Sequence, residues 1–205
     1  MYKNKTVIQI GSHVGKSQND PIFNYIDEST KLILVEPVPY LFNKLKYNYS
    51  KKLKNLDNVT FINKAVSNFI GELELTIPSE DNDYSKLPWW ASQLSSVNKD
   101  HATNHIKELK VETIKVQTTT LNQIIEEYNI TDIFLLHTDT EGHDKDIIEN
   151  YNFNIKPTEI LFENKHMDGY KKKGKKFHEF MAFLKTHGYI LKNQNREDTR
   201  VKLVE

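Results

Sequence analysis

Short apolar runs of strand length alternate along the chain with stretches whose apolar residues recur at helical spacing. The runs are Val7–Ile10, Leu32–Val35, Ile133–Leu136 and Ile160–Phe162. Runs of this kind are typical of parallel strands that are covered on both faces. Three stretches between or after them carry one apolar helical face each: Leu41, Phe42, Leu45 and Tyr49; Leu121, Ile124, Ile125 and Tyr128; and Phe177, Phe180, Met181 and Leu184. This alternation predicts an α/β, doubly wound, mostly parallel sheet with helices on both faces.

The last part of the pattern contains its own boundary signals. Gly188 follows the third helical stretch in the position of a helix C-cap, and strand-like Tyr189–Leu191 comes next. The basic run at Lys171–Lys176 is interpreted as a solvated loop that leads into this helix, with anion binding as the alternative.

One stretch interrupts the alternation of strands and helices. From about Pro78 to Asn104 the chain is polar and irregular, and Val111–Gln117 then returns to strand-like alternation. A loop of this length inside a compact domain is usually functional or mobile. Since no repeat or linker is visible, we expect residues 1–205 to form one domain with a long loop at about 78–104.

The charge balance narrows the range of partners. Lys plus Arg number 28 and Asp plus Glu number 28, so the formal net charge is zero. The chain therefore lacks the positive field of a general nucleic-acid binder. The only arginines are Arg196 and Arg200, and the guanidinium is the side chain best suited to a bidentate grip on phosphate. We expect no nucleic acid among the partners.

Cysteine is absent, which excludes disulfides, thiolate metal sites and a cysteine nucleophile. No run approaches the roughly 18 apolar residues of a membrane span. The opening MYKNKTVIQI does not resemble a secretory signal. These features predict a cytoplasmic protein without a membrane partner.

A glycine turn follows the first predicted strand. It reads Gly11-Ser12-His13-Val14-Gly15-Lys16-Ser17, and we expect a helix after it, whose free N–H groups would face a ligand. The phosphate-binding loop of a nucleotide kinase has four residues between its first glycine and Gly-Lys-Ser, whereas this chain has three. Kinases also supply arginines to the transferred phosphoryl group. The turn lacks the third glycine of a dehydrogenase fingerprint as well, so both classes are minor alternatives.

The second predicted strand ends in Glu36-Pro37. Glu36 lies about 20 positions past Gly15, the spacing expected of an acid that binds ribose hydroxyls. A carboxylate suits a diol because it accepts hydrogen bonds from both hydroxyls, and Pro37 ends the strand because it cannot donate to a ladder.

Six motifs in this order resemble the FkbM-type S-adenosylmethionine (SAM)-dependent methyltransferases, and the similarity runs from about Val7 to Ile190. The motifs are Gln9-Ile10-Gly11-Ser12-His13-Val14-Gly15, Glu36-Pro37, Ala65-Val66-Ser67, Ser95-Ser96, Thr120-Leu121 and Asp139-Thr140-Glu141-Gly142. The resemblance implies a Rossmann-like class I methyltransferase sheet and SAM as the cofactor. It places the cofactor on Gln9, Gly11, His13, Gly15, Glu36, Pro37, Ala65 and Asp139, with adenine beside Ala65.

Two positions depart from the family pattern. The family's first-turn Asp is Gln9 here, and its Asn is His13. We therefore expect weaker SAM binding or a different grip on the methionine end. A SAM-binding module without catalysis is the alternative. The family's acid after Asp-x-Glu-Gly aligns with His143 or Asp144.

Methyl transfer from a sulfonium to a hydroxyl is an in-line displacement in which the hydroxyl loses its proton. We expect Asp139 to lie nearest that hydroxyl, with His143 or His166 as alternative bases. A plainer interpretation is that Asp139 and Glu141 only cap the following helix. The candidate set for Mg²⁺ or Mn²⁺ comprises Asp139, Glu141, His143, Asp144, Glu163 and His166.

The acceptor is expected to lie against the long loop at about 78–104 and the ends of the predicted strands at Ile133–Leu136 and Ile160–Phe162. Its predicted contacts are Trp89, Trp90, Ser95, Ser96, Glu141, Glu163 and Asn164. The alternative for the two tryptophans is that they pack the loop onto the core. Few arginines, together with the family resemblance, favour a hydroxyl of a sugar or glycan, with a non-sugar small metabolite as the alternative acceptor. A homodimer is compatible with the sequence.

Overall fold

The computed structural model of the chain describes residues 2–17 and 20–204. Its strands are β1 (Thr6–Ile10), β2 (Lys31–Val35), β3 (Val59–Ile62), β4 (Ala65–Val66), β5 (Gly71–Pro78), β6 (Val111–Thr119), β7 (Leu135–Thr138), β8 (Glu159–Glu163), β9 (Tyr189–Gln194) and β10 (Asp198–Leu203). Its helices are α1 (Pro39–Lys52), α2 (His101–His105), α3 (Leu121–Glu127), α4 (Asp144–Glu149) and α5 (Lys175–Thr186). Within the described ranges, no helix is long and apolar enough to cross a membrane.

Seven strands form the main sheet in the order β3-β2-β1-β7-β8-β10-β9. The first five of these are parallel, whereas β10 runs antiparallel to both β8 and β9. Strand β1 lies between β2 and β7, so the direction in which the chain adds strands reverses at β1. In an open α/β sheet, the carboxyl ends of the strands beside such a reversal flank a ligand crevice.

Alternate residues of the central strands face opposite sides of the sheet. Ile8 and Leu136 pack with α3, α4 and α5 in one apolar cluster. Val7, Leu32 and Leu135 pack with α1 in a second cluster on the other face. Because both faces are covered, the strands are apolar almost throughout, and the predicted doubly wound sheet is confirmed.

A second sheet of three strands, β4-β6-β5, carries the long loop. β5 and β6 pair antiparallel from Gly71↔Thr118 to Pro78↔Val111. Residues 79–110 between them include a 3-10 turn at Ala91–Gln93 and the short helix α2. The loop is irregular, as predicted, but it has a small apolar cluster of its own around Ala91, Leu94 and Ala102.

The prediction of a helix directly after the glycine turn is wrong for the described residues. Between Gly11 and β2 these residues form turns and a single 3-10 turn at Phe23–Tyr25. Pro21 disfavours helical conformation in the residue before it, and the Asp20 carboxylate accepts the amide hydrogens of Ile22 and Phe23 at 2.8 and 2.6 Å. These bonds fix a local turn in place of a helix start.

The strand predicted at Ile133–Leu136 lies two residues later, at Leu135–Thr138. The pairing Val7↔Leu135 and Ile10↔Thr138 sets this position. A prediction from apolar residues alone misplaced this strand, because His137 and Thr138 are polar and yet buried within the sheet.

Candidate functional site

A cavity lies at the carboxyl ends of β1, β2 and β7, where the strand order reverses. Many of the predicted site residues line it: Gln9, Gly11, His13, Glu36, Pro37, Ala65, Ser95, Asp139, Glu141 and His143. The remaining ones lie outside this lining: Gly15, Trp89, Trp90, Ser96, Glu163, Asn164 and His166. The cavity also includes residues that the sequence did not single out, among them Asp20, Lys64 and His137.

Gly11 allows the turns after β1 and β7 to touch. Its φ is +79°, and a Cβ at this position would lie 1.9 Å from the carbonyl oxygen of Asp139. The Asp139 amide donates in turn to the Ile10 carbonyl at 3.0 Å. Only glycine fits such a close backbone approach at positive φ, so Gly11 brings the floor of the cavity next to Asp139.

Gly15 has a different role. Its φ is +72°, and a Cβ there would lie 2.5 Å from Cε2 of Tyr49 and 2.9 Å from Cδ1 of Leu45. Both side chains belong to the buried face of α1. Gly15 therefore packs the end of the turn against α1 and does not line the cavity.

Glu36 holds the glycine turn and the start of α1 together. Its Oε2 accepts the amide hydrogen of His13 at 2.8 Å, and its Oε1 accepts that of Val38 at 2.9 Å. The side chain is buried, and this burial raises its pKa from 4.5 to about 7 against the opposing effect of the two amide bonds. Each carboxylate oxygen keeps a free lone pair for a hydroxyl in the cavity.

Gln9 has an acidic partner that comes from elsewhere in the chain. Its Nε2 donates to Oδ2 of Asp20 at 2.8 Å, and burial raises the pKa of Asp20. Oε1 of Gln9 is buried and has no hydrogen-bond partner within residues 2–17 and 20–204. The Asp20 carboxylate therefore supplies the acidic group that the first turn lacks, and Gln9 Oε1 is available to accept a hydrogen bond from a ligand.

Asp139 belongs to a group of acids around Lys165. Its carboxyl is exposed to the cavity but closely surrounded by protein atoms. The resulting loss of hydration is the largest cause that raises its pKa above 3.8, and the negative charges of Glu141 and Asp144 raise it further. Lys165 Nζ lies 3.1 Å from Glu163 Oε1 and 3.8 Å from Glu141 Oε1. A carboxyl with a raised pKa is a stronger base than an ordinary aspartate.

His143 lines the cavity and is the N-cap residue of α4. Its Nε2 lies 3.2 Å from Oγ of Ser67, and its Nδ1 lies 3.3 Å from Oδ2 of Asp146. α4 begins at Asp144 without a side-chain cap bond. Glu141 Oε2 lies 2.9 Å from His101 Nε2, and no amide of α4 donates to Asp139 or Glu141 among the described residues, so the alternative that they cap this helix by hydrogen bonds is wrong.

His166 lies behind Glu141, away from the cavity lining. Of the six residues named as an Mg²⁺ or Mn²⁺ set, the structure brings the possible ligand atoms of Glu141, Glu163 and His166 within 4.8 Å of one another. Asp144 instead accepts from the hydroxyl of Thr140 at 2.8 Å.

Sequence reasoning missed two histidines that lie beside His166, namely His101 and His105. Their i, i+4 spacing on α2 was an available signal, because it places both rings on one face of a helix.

The two serines of the Ser-Ser motif have separate roles. Ser95 lines the cavity. Ser96 is buried, donates to the Glu141 carbonyl at 3.4 Å and forms a β-bridge with Thr76. The loop also reaches the glycine turn, because Ser92 Oγ lies 3.2 Å from Nε2 of His13. The loop thus contributes Gln93 and Ser95 to the lining of the cavity.

The two tryptophans of the loop also have separate roles. Trp90 packs against the apolar cluster of the loop, whereas Trp89 is 55% exposed. Trp89 lies on a groove that shares His13 and Gln93 with the cavity and also contains Tyr40 and Tyr84.

Asn164 is buried and bonded to the final hairpin. Its Oδ1 accepts from Thr199 Oγ1 at 2.6 Å, and its Nδ2 donates to the carbonyl of Arg196. Both polar ends of the side chain are therefore used within the fold.

Comparisons with solved structures identify proteins of the same fold. The chain is similar to a methyltransferase FkbM from Methylobacillus flagellatus, with 12% identity, a TM-score of 0.56 and coverage of 98% of this chain and 44% of the other. It is also similar to fibrillarin, a pre-rRNA processing protein of Methanococcus jannaschii (12%, 0.52, 100% and 68%). A third similar structure is Aeropyrum pernix fibrillarin with natively bound SAM (11%, 0.50, 98% and 67%).

The chain thus spans less than half of the FkbM structure that it resembles. At these identities the likeness establishes the fold, a Rossmann-like class I methyltransferase sheet. A search of curated proteins finds no significant match. The family model described as the methyltransferase FkbM domain matches residues 9–191. Because this match covers most of the chain, the protein belongs to the FkbM methyltransferase family.

Proposed function

We propose that the protein is a SAM-dependent O-methyltransferase that acts on a hydroxyl of a neutral acceptor, foremost a sugar or glycan. The observation that carries the proposal is one cavity that joins Glu36 at the end of β2 to Asp139 at the end of β7. The first carboxylate suits the ribose of a nucleoside cofactor. The second suits a hydroxyl that loses a proton as it is methylated.

The residues of the cavity fit SAM along its length. Glu36 would accept from the ribose hydroxyls, and the apolar side chains of Ala65, Leu41 and Leu75 would flank the adenine. At the other end, the Asp20 carboxylate and Oε1 of Gln9, which has no partner among the described residues, would receive the methionine ammonium. An ammonium is a strong donor to such acceptors, so this pair would replace the acid that the family carries in its first turn.

SAM supplies a methyl group on a sulfonium, which transfers without a metal or an oxidant. The contribution of the protein is to align the acceptor and take its proton. Asp139 is suited to accept that proton because its crowded position and acidic neighbours raise its pKa. His143, held by Ser67 and Asp146, is the alternative base because it also lines the cavity.

The aromatic groove supports a sugar as the acceptor. Trp89, Tyr40 and Tyr84 lie along it, and it shares His13 and Gln93 with the cavity. Aromatic rings present an apolar face together with polar edges, a combination that suits the faces of a sugar ring. A non-sugar metabolite with a flat apolar face and a hydroxyl is the second acceptor class, and the small number of arginines in the sequence disfavours a nucleic acid.

Two measurements test the proposal in sequence. Titration calorimetry with SAM, S-adenosylhomocysteine, NAD and ATP is expected to show binding of the first two alone. Binding of only NAD or ATP would refute the proposal. Methyl-labelled SAM with a panel of oligosaccharides and single deoxysugars then identifies the acceptor hydroxyl. Label transferred only to nitrogen or carbon acceptors would contradict O-methylation.

A further inference from the structure

Three histidines come together beside Glu141, outside the cavity lining. His101 and His105 lie one turn apart on α2, and His166 follows β8. The ring centroids are 4.6 Å apart for His101 and His166, 5.0 Å for His101 and His105, and 5.5 Å for His105 and His166. One ligand atom of each residue lies within 4.8 Å of those of the other two.

Two carboxylates fix which ring nitrogens carry protons. His166 Nδ1 lies 3.1 Å from both Glu141 Oε2 and Glu163 Oε1. His101 Nε2 lies 2.9 Å from the same Glu141 oxygen. An imidazole nitrogen that faces a carboxylate carries the hydrogen, so the lone pairs are on Nε2 of His166 and Nδ1 of His101.

The free nitrogen of His166 is unusual for a buried group. The side chain is 9% exposed, and its Nε2 is buried without a hydrogen-bond partner in the part of the chain that the structure describes. A buried lone pair with no donor is costly unless something binds it. Its neighbours in the cluster are imidazoles, which are metal ligands in their neutral form.

We infer that His101, His105 and His166 bind one divalent transition metal ion. Imidazoles favour ions such as Zn²⁺ and Co²⁺ over Mg²⁺, which prefers oxygen ligands. A histidine that binds a metal commonly donates its other N–H to a carboxylate, which is the relation of His101 and His166 to Glu141. This site differs from the Mg²⁺ or Mn²⁺ set suggested by the sequence, since two of its ligands come from α2.

Lys165 explains why the glutamates orient the rings and are not ligands themselves. Its ammonium lies 3.1 Å from Glu163 Oε1 and 3.8 Å from Glu141 Oε1, so a cation of the protein already balances these carboxylates. The opposite oxygen of Glu141, Oε2, faces the two imidazoles. Glu141 is therefore a positioning residue for the metal ligands.

The distances are compatible with a tetrahedral ion after a small closure. With metal–nitrogen bonds of about 2.0–2.1 Å, ligating nitrogens lie about 3.3 Å apart. One nitrogen of each ring lies within 4.8 Å of one nitrogen of the other two rings, so tetrahedral spacing requires these atoms to approach by at most about 1.5 Å. Three protein ligands leave a fourth position for water. The inference goes beyond the proposed function and does not rest on it, because its three metal ligands lie outside the cavity lining.

Cobalt titration of tag-free full-length protein, without SAM, tests the inference. Tetrahedral Co²⁺ absorbs strongly in the visible range, and we expect one Co²⁺ per chain that Zn²⁺ displaces and excess Mg²⁺ does not. His101→Ala and His105→Ala are expected to lose the absorption. His178→Ala, which removes an exposed histidine of α5, is the matched control and keeps it. Glu141→Gln is expected to weaken binding by about 10–100-fold.

The opposite results would overturn the inference. Absence of stoichiometric metal, or equal affinity in the two alanine variants, would mean that the histidines form an aromatic cluster only, with Trp90 and Tyr170 packed on His105. Thermal melting checks that each variant folds. If the alanine variants do not fold, zinc-edge X-ray absorption of the wild-type protein decides between three imidazole ligands and none. Failure here would leave the SAM titration unaffected, so the two proposals are tested separately.

Discussion

We expect the protonation of Glu36 to link folding to cofactor binding, and the substitution Glu36→Gln tests this link. The carboxylate accepts amide hydrogens from His13 and Val38, yet its burial raises its pKa from 4.5 to about 7. In the folded state without cofactor, Glu36 therefore begins to lose its proton only near neutral pH. Gln has nearly the same shape but cannot ionise.

The raised pKa sets the direction of the effect on stability. Since the folded-state value lies above the unfolded value of 4.5, the contribution of Glu36 is fully present below pH 4.5 and is lost as pH rises through about 7. At about 1.4 kcal/mol for each pKa unit, the loss amounts to about 3 kcal/mol. Glu36→Gln is expected to lack this component of the pH dependence.

Urea denaturation at several values between pH 4.5 and 8.5 measures the effect as a difference between wild type and Glu36→Gln. The comparison removes the contributions of other titrating groups, and the exposed Glu108, changed to Gln, is the matched control. A constant difference in the free energy of unfolding over this range would refute the reasoning.

Cofactor affinity is expected to change in the opposite direction with pH. Ribose hydroxyls donate most strongly to the ionised carboxylate, so SAM should bind about tenfold more weakly at pH 6 than at pH 8, because one proton must first leave Glu36. At pH 8, Glu36→Gln should bind SAM about 10–150-fold more weakly, from the loss of about 1.5–3 kcal/mol of charge-assisted bonding. Calorimetry that finds the same pH dependence in both proteins would show that Glu36 does not contact the cofactor.

Three further substitutions test the rest of the cavity. Gly11→Ala should lower the free energy of unfolding by about 2–4 kcal/mol, because its Cβ would lie 1.9 Å from a carbonyl oxygen. The control Gly188→Ala should lower it by about 1 kcal/mol, because the nearest atom to that Cβ is 3.4 Å away. Equal losses in urea denaturation would contradict this reasoning. Asp139→Asn should lower kcat by about 10²–10⁴-fold with little change in the Kd of SAM, and near-normal turnover would exclude Asp139 as the base. Asp20→Asn should weaken SAM about tenfold but leave 5′-methylthioadenosine, which lacks the ammonium, unaffected; parallel losses would disprove the assigned contact.

The main sheet was predictable because apolar periodicity and burial coincide there. Val7–Ile10 and Leu32–Val35 lie in strands that are covered on both faces, and nothing else explains so many adjacent apolar residues. β5 was not predicted, although Leu73, Leu75 and Ile77 alternate with polar residues. β7 was displaced because its second half is polar but buried. Periodicity thus finds a strand where residue type and burial agree.

The site residues that could be predicted are those that directly follow a strand within the same short motif, because the strand end fixes their position. Gly11 and Glu36 line the cavity because each follows directly from a strand end. The motif could not divide Ser95 from Ser96, because a shift of one residue turns a side chain from the cavity to the opposite side. It also could not predict that His101 and His166 meet, because 65 positions separate them and only the path of the long loop joins them.

Asp20 supplies a carboxylate beside a first turn that lacks the acid usual in the family. A carboxylate acts by its position and its charge, so any segment that reaches the crevice is able to supply it. The segment after Gly15 does so because it forms no helix in its described residues, and its turn bends Asp20 back to Gln9. The turn that replaces the predicted helix is therefore also what brings the Asp20 carboxylate to Gln9, the residue that stands in place of the motif's acid. Restoring Asp at position 9 while Asp20 remains would place two carboxylates side by side, and like charges at this distance raise each other's pKa. Gln9 and Asp20 are thus compatible as a pair.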